Sequence, residues 1–449
     1  MKRNIVYIAT ALTLLSSVNG LYAQKNKLTL SDALEMAKEG NKTLQMKILE
    51  EINTKEITKE TKNGFLPTIS ANAGYSYYIN RQVIFLPGSF AGSTKPVQDI
   101  TVGGKNVYNA YVSLYQPIIA PNKLQQVKIA KLNEQLESEK TADLSSRVAY
   151  NVSLHYLDML MMNRQLDLLE ESLQRNKRAL KDSRSLYEQG RGLKSDTLRS
   201  SIAVSNLKSS VSYLKSTIDV SAIELKRLIG TDDLGEIELT DNLDLGEKSN
   251  VNDLYQIDEA IEIAQKNRKE LIIQQLSINL QEKKTKIIQA EQLPQLSLVG
   301  QYQVQAQEDN MDFGQYVLPR TSYLGVQLTV PVFSGNRIKS QINQSKIKTQ
   351  QEKIRLDDLN EKVKTELSTI LNKQTEGYAQ LQIQQNTVEL AALNQQMIED
   401  RFKNGLGSRL ELTDAELALT QAKISYLNAI YNLRILDLEL RFALGLISL

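Results

Sequence analysis

Few residues of this chain have types that do chemistry, and they are scattered. His155 is the only histidine and lies among Leu154, Leu157 and Leu160, so it reads as a packing histidine and not as a ligand or base. There is no cysteine, which removes disulfides, thiolate metal sites, thiol nucleophiles and a lipidated amino-terminal cysteine. Met159, Met161 and Met162 read as core filler rather than a metal box. Arg175, Lys177, Arg178 and Lys181 read as a solvated helix face. With 54 Lys+Arg against 52 Asp+Glu, the chain has too little net charge for a phosphate-neutralising surface, and no nucleic-acid partner is expected. Glu411 and Asp414, spaced by three, share one helix face. Taken alone they are helix-start acids favoured by the dipole. No catalytic constellation, cofactor site or metal site emerges, and an enzyme is not expected.

The elements that carry these residues form an internal repeat. Tyr187-Glu188-Gln189-Gly190 returns as Phe402-Lys403-Asn404-Gly405, 215 residues later. Forty residues past each glycine stand Leu228-Ile229-Gly230 and Ala443-Leu444-Gly445. Between them apolar and small residues keep a heptad. In the first copy the rows are Thr197, Val204, Val211, Ile218, Leu225 and Ser200, Leu207, Leu214, Ser221, Leu228. In the second they are Leu412, Leu419, Tyr426, Leu433, Leu440 and Ala415, Ala422, Ala429, Leu436, Ala443. Five heptads in phase indicate coiled coil, and the alanines let a neighbouring helix approach closely.

Upstream of each copy runs one very long helical segment, Asn122 to Leu186 and Asn336 to Lys403, the second interrupted only by Gly377. At 1.5 Å per residue, about 65 residues make a rod of roughly 98 Å, far longer than a globular helix. The return helices, Lys194 to Ile229 and Arg409 to Leu444, are shorter. Two further helices, Leu30 to Asn63 and Ile257 to Gln292, stand at matching places in the halves. The division is therefore a first repeat over 24–230, a linker over 231–255 and a second repeat over 256–449.

Before each long helix the period changes to two. Strands are expected at about 66–83 and 107–119 in the first half, and at about 295–307 and 321–333 in the second. Leu296, Leu298, Gly300, Tyr302, Val304 and Ala306 point one way, and Gln301, Gln303, Gln305 and Gln307 the other. Such alternation suits a half-buried sheet or a transmembrane strand with lipid outside and water inside. Nine of the 19 tyrosines fall within 65–119 and 293–333, as in interfacial girdles. The connections Ile84 to Asn106 and Glu308 to Arg320 are long. Four strands cannot close a barrel, so several chains must pool them.

The start of the chain reads as a secretory signal peptide over 1–23. Lys2 and Arg3 precede an apolar stretch, and cleavage is expected near Ala23–Gln24. The mature chain would carry no net formal charge and no transmembrane helix.

These features resemble the outer membrane efflux protein family, the TolC-like exit ducts. The resemblance rests on the two Tyr/Phe-x-x-Gly turns, the Leu-Gly ends, Phe65-Leu66-Pro67 and Gln292-Leu293-Pro294 before strands, and Gln116-Pro117 and Val330-Pro331 before the long helices. It implies a mainly α fold with a small β part. A long α-helical coiled-coil barrel would join a 12-stranded transmembrane β-barrel shared by a homotrimer, in the cell outer membrane with a periplasmic extension. The partners implied are a periplasmic adaptor protein, an inner-membrane pump of RND or ABC type and outer-membrane lipid. Gly190 and Gly405 match the adaptor-docking turns. Glu411 and Asp414 match acids that line the constricted entrance, and Asp196 is their partner in the first repeat. Tyr187 and Phe402 occupy the turn positions at that entrance. Where some members lock it with a tyrosine hydroxyl and an arginine, this chain has Phe402 and Gly407, which cannot make those bonds. Gln301, Gln303 and Gln305 would line the barrel lumen. The competing reading is a periplasmic coiled-coil adaptor or scaffold without a barrel.

Overall fold

The computed structural model describes residues 26–90, 92, 94–231, 235, 237–243, 255–310 and 317–449. The signal peptide expected at 1–23 and most of the linker expected at 231–255 lie outside the described residues. The chain is mainly helical and divides into two compact units. One contains the chain up to Glu51, Ser138–Gln274 and Arg355–Leu449, and the other Ile52–Glu137 and Gln275–Ile354.

In chain order the elements are β1 (Asn26–Leu28), α1 (Leu30–Gly40), α2 (Lys42–Asn63), β2 (Thr68–Tyr77), β3 (Gln82–Pro87), β4 (Val97–Val102) and β5 (Asn106–Ile119). Then come α3 (Pro121–Glu188), α4 (Lys194–Ile229), β6 (Ile237–Leu239), α5 (Ile257–Asn267) and α6 (Lys269–Ala290). The chain ends with β7 (Gln295–Glu308), β8 (Arg320–Thr329), α7 (Arg337–Lys403) and α8 (Arg409–Ala443).

The helices expected to run unbroken over 30–63 and 257–292 are each split by one residue. At the first break Asn41 is extended, with φ −64° and ψ 115°. Its Oδ1 accepts the Leu44 N–H at 3.0 Å, and its Nδ2 donates to Leu228 O at 2.8 Å. A side chain that caps the next helix outweighs the continuity of the pattern. At the second break Arg268 takes φ −69° and ψ 115°. Its guanidinium is tied to Glu366 at 2.6 Å and Glu270 at 3.0 Å.

In the unit that holds the hairpin ends, α4 packs on α3 and α8 on α3 and α7. None of the twenty heptad positions named above is exposed. A Cβ on Gly377 of α7 would stand 2.8 Å from Leu433 of α8, so that glycine admits a close helix approach. Tyr156 lies at the centre of one core cluster with Val148, Val152, Met159 and Leu225. Its hydroxyl is within hydrogen-bond reach of Leu28 O (2.9 Å) and the Asp241 carboxylate (2.8 Å). Asp241 also accepts the Leu30 N–H at 2.8 Å, which ties the short parallel pair β1·β6 to α1 and α3. A second cluster gathers Ala260, Ala264, Val363, Leu367, Leu440 and Leu444. Met159 is buried in the first cluster and Met161 and Met162 pack against it.

The other unit contains an antiparallel sheet of order β2-β5-β7-β8. Its register pairs Ser70 with Ser113, Ser113 with Gln301 and Gln301 with Tyr323. Paired residues share a face, so the sheet carries one row set of Ser, Asn, Gln and Tyr and another of Ile69, Val112, Leu324, Val326 and Leu328. The first strand ends at Tyr77, short of the expected Val83. The chain then enters a separate β3·β4 hairpin, most of which lies within the segment read as a connection. The ion pair of Arg81 with Asp309 (2.8 Å) and the Lys105 N–H on the same carboxylate (3.0 Å) anchor that hairpin's base. β8 stops at Thr329 rather than near Phe333, just before Pro331, which lacks a ladder donor.

Candidate functional site

The two helix hairpins end in turns of one construction. After α3, Gly190 takes φ +72°; its N–H donates to Tyr187 O at 2.9 Å, and the Arg191 N–H donates to Leu186 O at 2.8 Å. After α7, Gly405 takes φ +74°; its N–H donates to Phe402 O at 3.0 Å, and the Leu406 N–H donates to Arg401 O at 2.9 Å. These bonds are the Schellman helix ending, which needs a left-handed residue and so favours glycine. A Cβ on either glycine would meet nothing within 4 Å. Both turns close on their own backbone and face open space.

The residues expected at an entrance fall into two groups. On the second hairpin, the Ser408 hydroxyl caps α8 by accepting the Glu411 N–H at 3.1 Å, and the Glu411 carboxylate accepts the Ser408 N–H at 3.4 Å. Glu411 is thereby turned back on its own helix start. Asp414, three residues on, is exposed, with no hydrogen-bond or ion-pair partner among the described residues. Phe402 is half-buried, with the Arg409 guanidinium 5.4 Å from its ring centroid, a cation–π contact. A Cβ on Gly407 would stand 3.2 Å from Phe402 N, so the returning chain presses close to Phe402. On the first hairpin, Tyr187 is exposed and Asp196 sits half-buried in the first turn of α4.

Reading the sequence missed Glu416. Its Oε2 is buried without a hydrogen-bond partner, as is Arg409 Nε. Burial raises the Glu416 carboxyl above the usual carboxylate range, against the pull of Arg409 and Arg175 and with added repulsion from Glu399. Arg175 is not a solvated rod residue. It reaches from α3 to donate to Thr420 Oγ1 of α8 at 3.3 Å and lies 3.6 Å from Glu171. The Ser408-x-x-Glu411 spacing is a legible capping-box signal. Nothing in the spacing of Glu416 marks it for burial.

In the sheet unit, Gln301, Gln303 and Gln305 lie on one face of β7. Gln303 Nε2 donates to Asn109 Oδ1 at 2.9 Å and Gln301 Nε2 to Gln303 Oε1 at 3.0 Å. The Tyr323 hydroxyl donates to Gln301 Oε1 at 3.4 Å, and Ser70 and Ser113 hydroxyls meet at 2.8 Å. This face offers amide and hydroxyl groups without net charge, a surface that solvates many solutes and selects few. No helix among the described residues is long and apolar enough to cross a membrane; a β-barrel needs none.

Comparison with known proteins gives a consistent picture. The proteases secretion protein PrtF of Dickeya chrysanthemi is 23% identical over 445 residues, covering 95% of this chain and 91% of PrtF. The alkaline protease secretion protein AprF of Pseudomonas aeruginosa is 22% identical over 346 residues, covering 76% of this chain and 71% of AprF. Among solved structures, CusC superposes with a TM-score of 0.74 at 14% identity, over 93% of this chain and 92% of that one. The fold is thus that of the CusC channel. With the outer membrane efflux protein profile matching residues 33–231 and 260–446, this chain belongs to that family.

Proposed function

We propose that the chain is the outer-membrane exit duct of a tripartite efflux or type I secretion system. As a homotrimer it passively conducts cargo handed over by a periplasmic adaptor and an inner-membrane pump. The observation that carries this reading is the sheet. Its order leaves β2 and β8 as open edges, and Leu324, Val326 and Leu328 on its apolar face are 71%, 67% and 64% exposed. Open edges and exposed apolar rows are liabilities that closure removes, and three copies of four strands make a 12-stranded barrel. The apolar face would meet lipid, and Gln301, Gln303 and Gln305 would line the lumen.

The helices support the same assembly. Exposed apolar residues stand on α4 (Ile202, Tyr213, Val220) and on α7 (Ile383, Leu390, Met397). Their covering by a neighbouring copy would build a closed ring of coiled coils. Matched lengths support a two-fold repeat: 11 and 11 residues for α1 and α5, 22 and 22 for α2 and α6, 68 and 67 for α3 and α7, 36 and 35 for α4 and α8. Glu411 and Asp414 from three copies would ring the entrance with six carboxylates, Asp196 beside them, and Tyr187 and Phe402 would flank the constriction. Gly190 and Gly405 would receive the adaptor. The names of AprF and PrtF, both protease secretion proteins, support polypeptides as cargo.

The test is membrane fractionation followed by mass in detergent and conductance in planar bilayers. An outer-membrane trimer that conducts supports the duct. A water-soluble chain that forms no pore would leave the periplasmic scaffold.

A further inference from the structure

We infer that a hollow on the apolar face of the sheet holds one lipid with an anionic phosphate headgroup, the phosphate on Arg320 and an acyl chain over Ala73 and Ala110. This rests on the duct reading and names the lipid that the membrane face of the duct selects. The register builds the hollow. On that face Ala73, Ala110, Val304 and Arg320 pair in one row across β2, β5, β7 and β8. The rows on either side are bulkier, with Tyr75 and Tyr108 in one and Val112 and Tyr302 in the other. Two alanines between rows of tyrosine and valine leave a cleft of about 430 Å³, lined also by Ala306 and Leu318. Ala306 is 2% exposed although its row faces outward, so the cleft has a closed floor.

The hollow sits where a membrane has its headgroups. The Tyr75 and Tyr108 rings lie 4.9 Å apart, and the Tyr75 hydroxyl donates to Asn106 Oδ1 at 2.8 Å. Tyrosines with an apolar body and a hydrogen-bonded tip gather at the membrane–water interface. The alanine row also lies toward the β7–β8 connection, the end of the sheet away from the passages into α3 and α7. In the duct that end faces outward, so the lipid belongs to the outer leaflet.

Arg320 supplies the selection. It is exposed and makes no hydrogen bond or ion pair among the described residues. Arg81, at the same end of the sheet, is by contrast held by Asp309 at 2.8 Å. An unpaired guanidinium on a lipid-facing row is costly, and a headgroup phosphate satisfies it through two parallel N–H donors. Glu308, the acid on the same face of β7, stands four residues from Val304, about 13 Å along the strand. The charge left to satisfy at the cleft is therefore positive, and its ligand is an anion. A second copy does not fill the cleft. Closure adds copies at the edges β2 and β8, whereas Ala110, Val304 and Ala306 stand on the interior strands β5 and β7. Those positions stay open to lipid.

The probes are dioleoyl phosphatidic acid, dioleoylglycerol, which has the same chains and no phosphate, and inorganic phosphate. Each is titrated into the detergent-purified full-length trimer, and bound copies are counted by native mass spectrometry. Phosphatidic acid should occupy one site per chain, at least about tenfold more tightly than dioleoylglycerol. Inorganic phosphate should not be retained, since it lacks the chain that the cleft holds. Arg320→Gln should remove the preference for phosphatidic acid, while Lys105→Gln should leave it. Ala110→Leu fills the cleft and should weaken both lipids by about fivefold or more. All three variants should still form trimers that conduct. A wild-type chain that forms no conducting trimer would overturn the duct reading, and the site with it. A conducting trimer that binds both lipids equally would overturn the site alone. So would a preference that survives Arg320→Gln, or lipid binding indifferent to Ala110→Leu.

Discussion

The carbonyl oxygen of Gly40 fills the space that a Cβ on Gly230 would need, at 2.0 Å from it. The relationship is mutual, since a Cβ on Gly40 would stand 2.3 Å from Ile229 O. Gly230 also takes φ +71°, much as Gly190 takes +72°, yet Gly190 faces open space. Two glycines with one backbone conformation thus have different reasons to be glycine. Gly190→Ala should lose about 1–2 kcal/mol, the left-handed cost alone. Gly230→Ala should lose about 2–5 kcal/mol, because backbone overlap is added. Circular-dichroism melts of the two variants separate these outcomes, and equal losses would remove the close-packing account.

How much of this was legible depended on whether the determining contact was local. The heptads over 197–228 and 412–443 are periodic, and all twenty positions are covered. The face assignment of β7 followed from alternation because side chains in a strand must alternate. The break at Asn41 was hidden, because it depends on a bond from Nδ2 to Leu228 O, 187 residues away. The burial of Glu416 was hidden for the same reason, since a three-helix surround that includes Arg175 of α3 leaves no mark in local spacing. Repetition marks the glycines at 190 and 405, whereas their open surroundings depend on the folded arrangement of the hairpin ends.

Tyr156 should make stability depend on alkaline pH. It is fully buried, and burial together with its bond to Asp241 pushes the phenol well above its ordinary value. In the unfolded chain a tyrosine titrates near about 10. Because the folded pKa is raised, the stabilisation is complete below that value and is lost as pH rises beyond it. Melts between about pH 8 and 11 should therefore fall more steeply for the wild type than for Tyr156→Phe. At neutral pH the phenylalanine variant should be weaker by about 1–3 kcal/mol, because Asp241 and Leu28 O lose a buried donor. Parallel pH curves for the two proteins would rule out the linkage.

Glu416 carries the same sign at acidic pH. Its folded-state pKa is raised by burial, so its contribution is fully present below the ordinary glutamate value of about 4.3 and is lost as pH rises through the folded value. Glu416→Gln keeps the shape and removes the buried charge. Its melting temperature relative to wild type should rise between about pH 4 and pH 7. A difference that stays constant over that range would show that Arg175 and Arg409 already neutralise the carboxylate.

Asp414 offers the cleanest test of an acidic entrance, because Glu411 has a second role. Removing Glu411 would also remove the carboxylate that accepts the Ser408 N–H, so a change in conduction could arise from a frayed α8. Asp414 is exposed and has no partner in the described residues, so Asp414→Ala should leave the hairpin folded. If three copies bring these acids around one axis, the field they focus raises the local concentration of multivalent cations. Block of single pores by a trivalent cation added on the entrance side should then weaken by about tenfold or more in Asp414→Ala. Raising salt should reduce wild-type block more than block of the variant, because screening acts on the charge the variant lacks. Block that is unchanged in Asp414→Ala, with conductance and melting also unchanged, would place the constriction elsewhere and leave Asp414 as a solvated residue of the helix start.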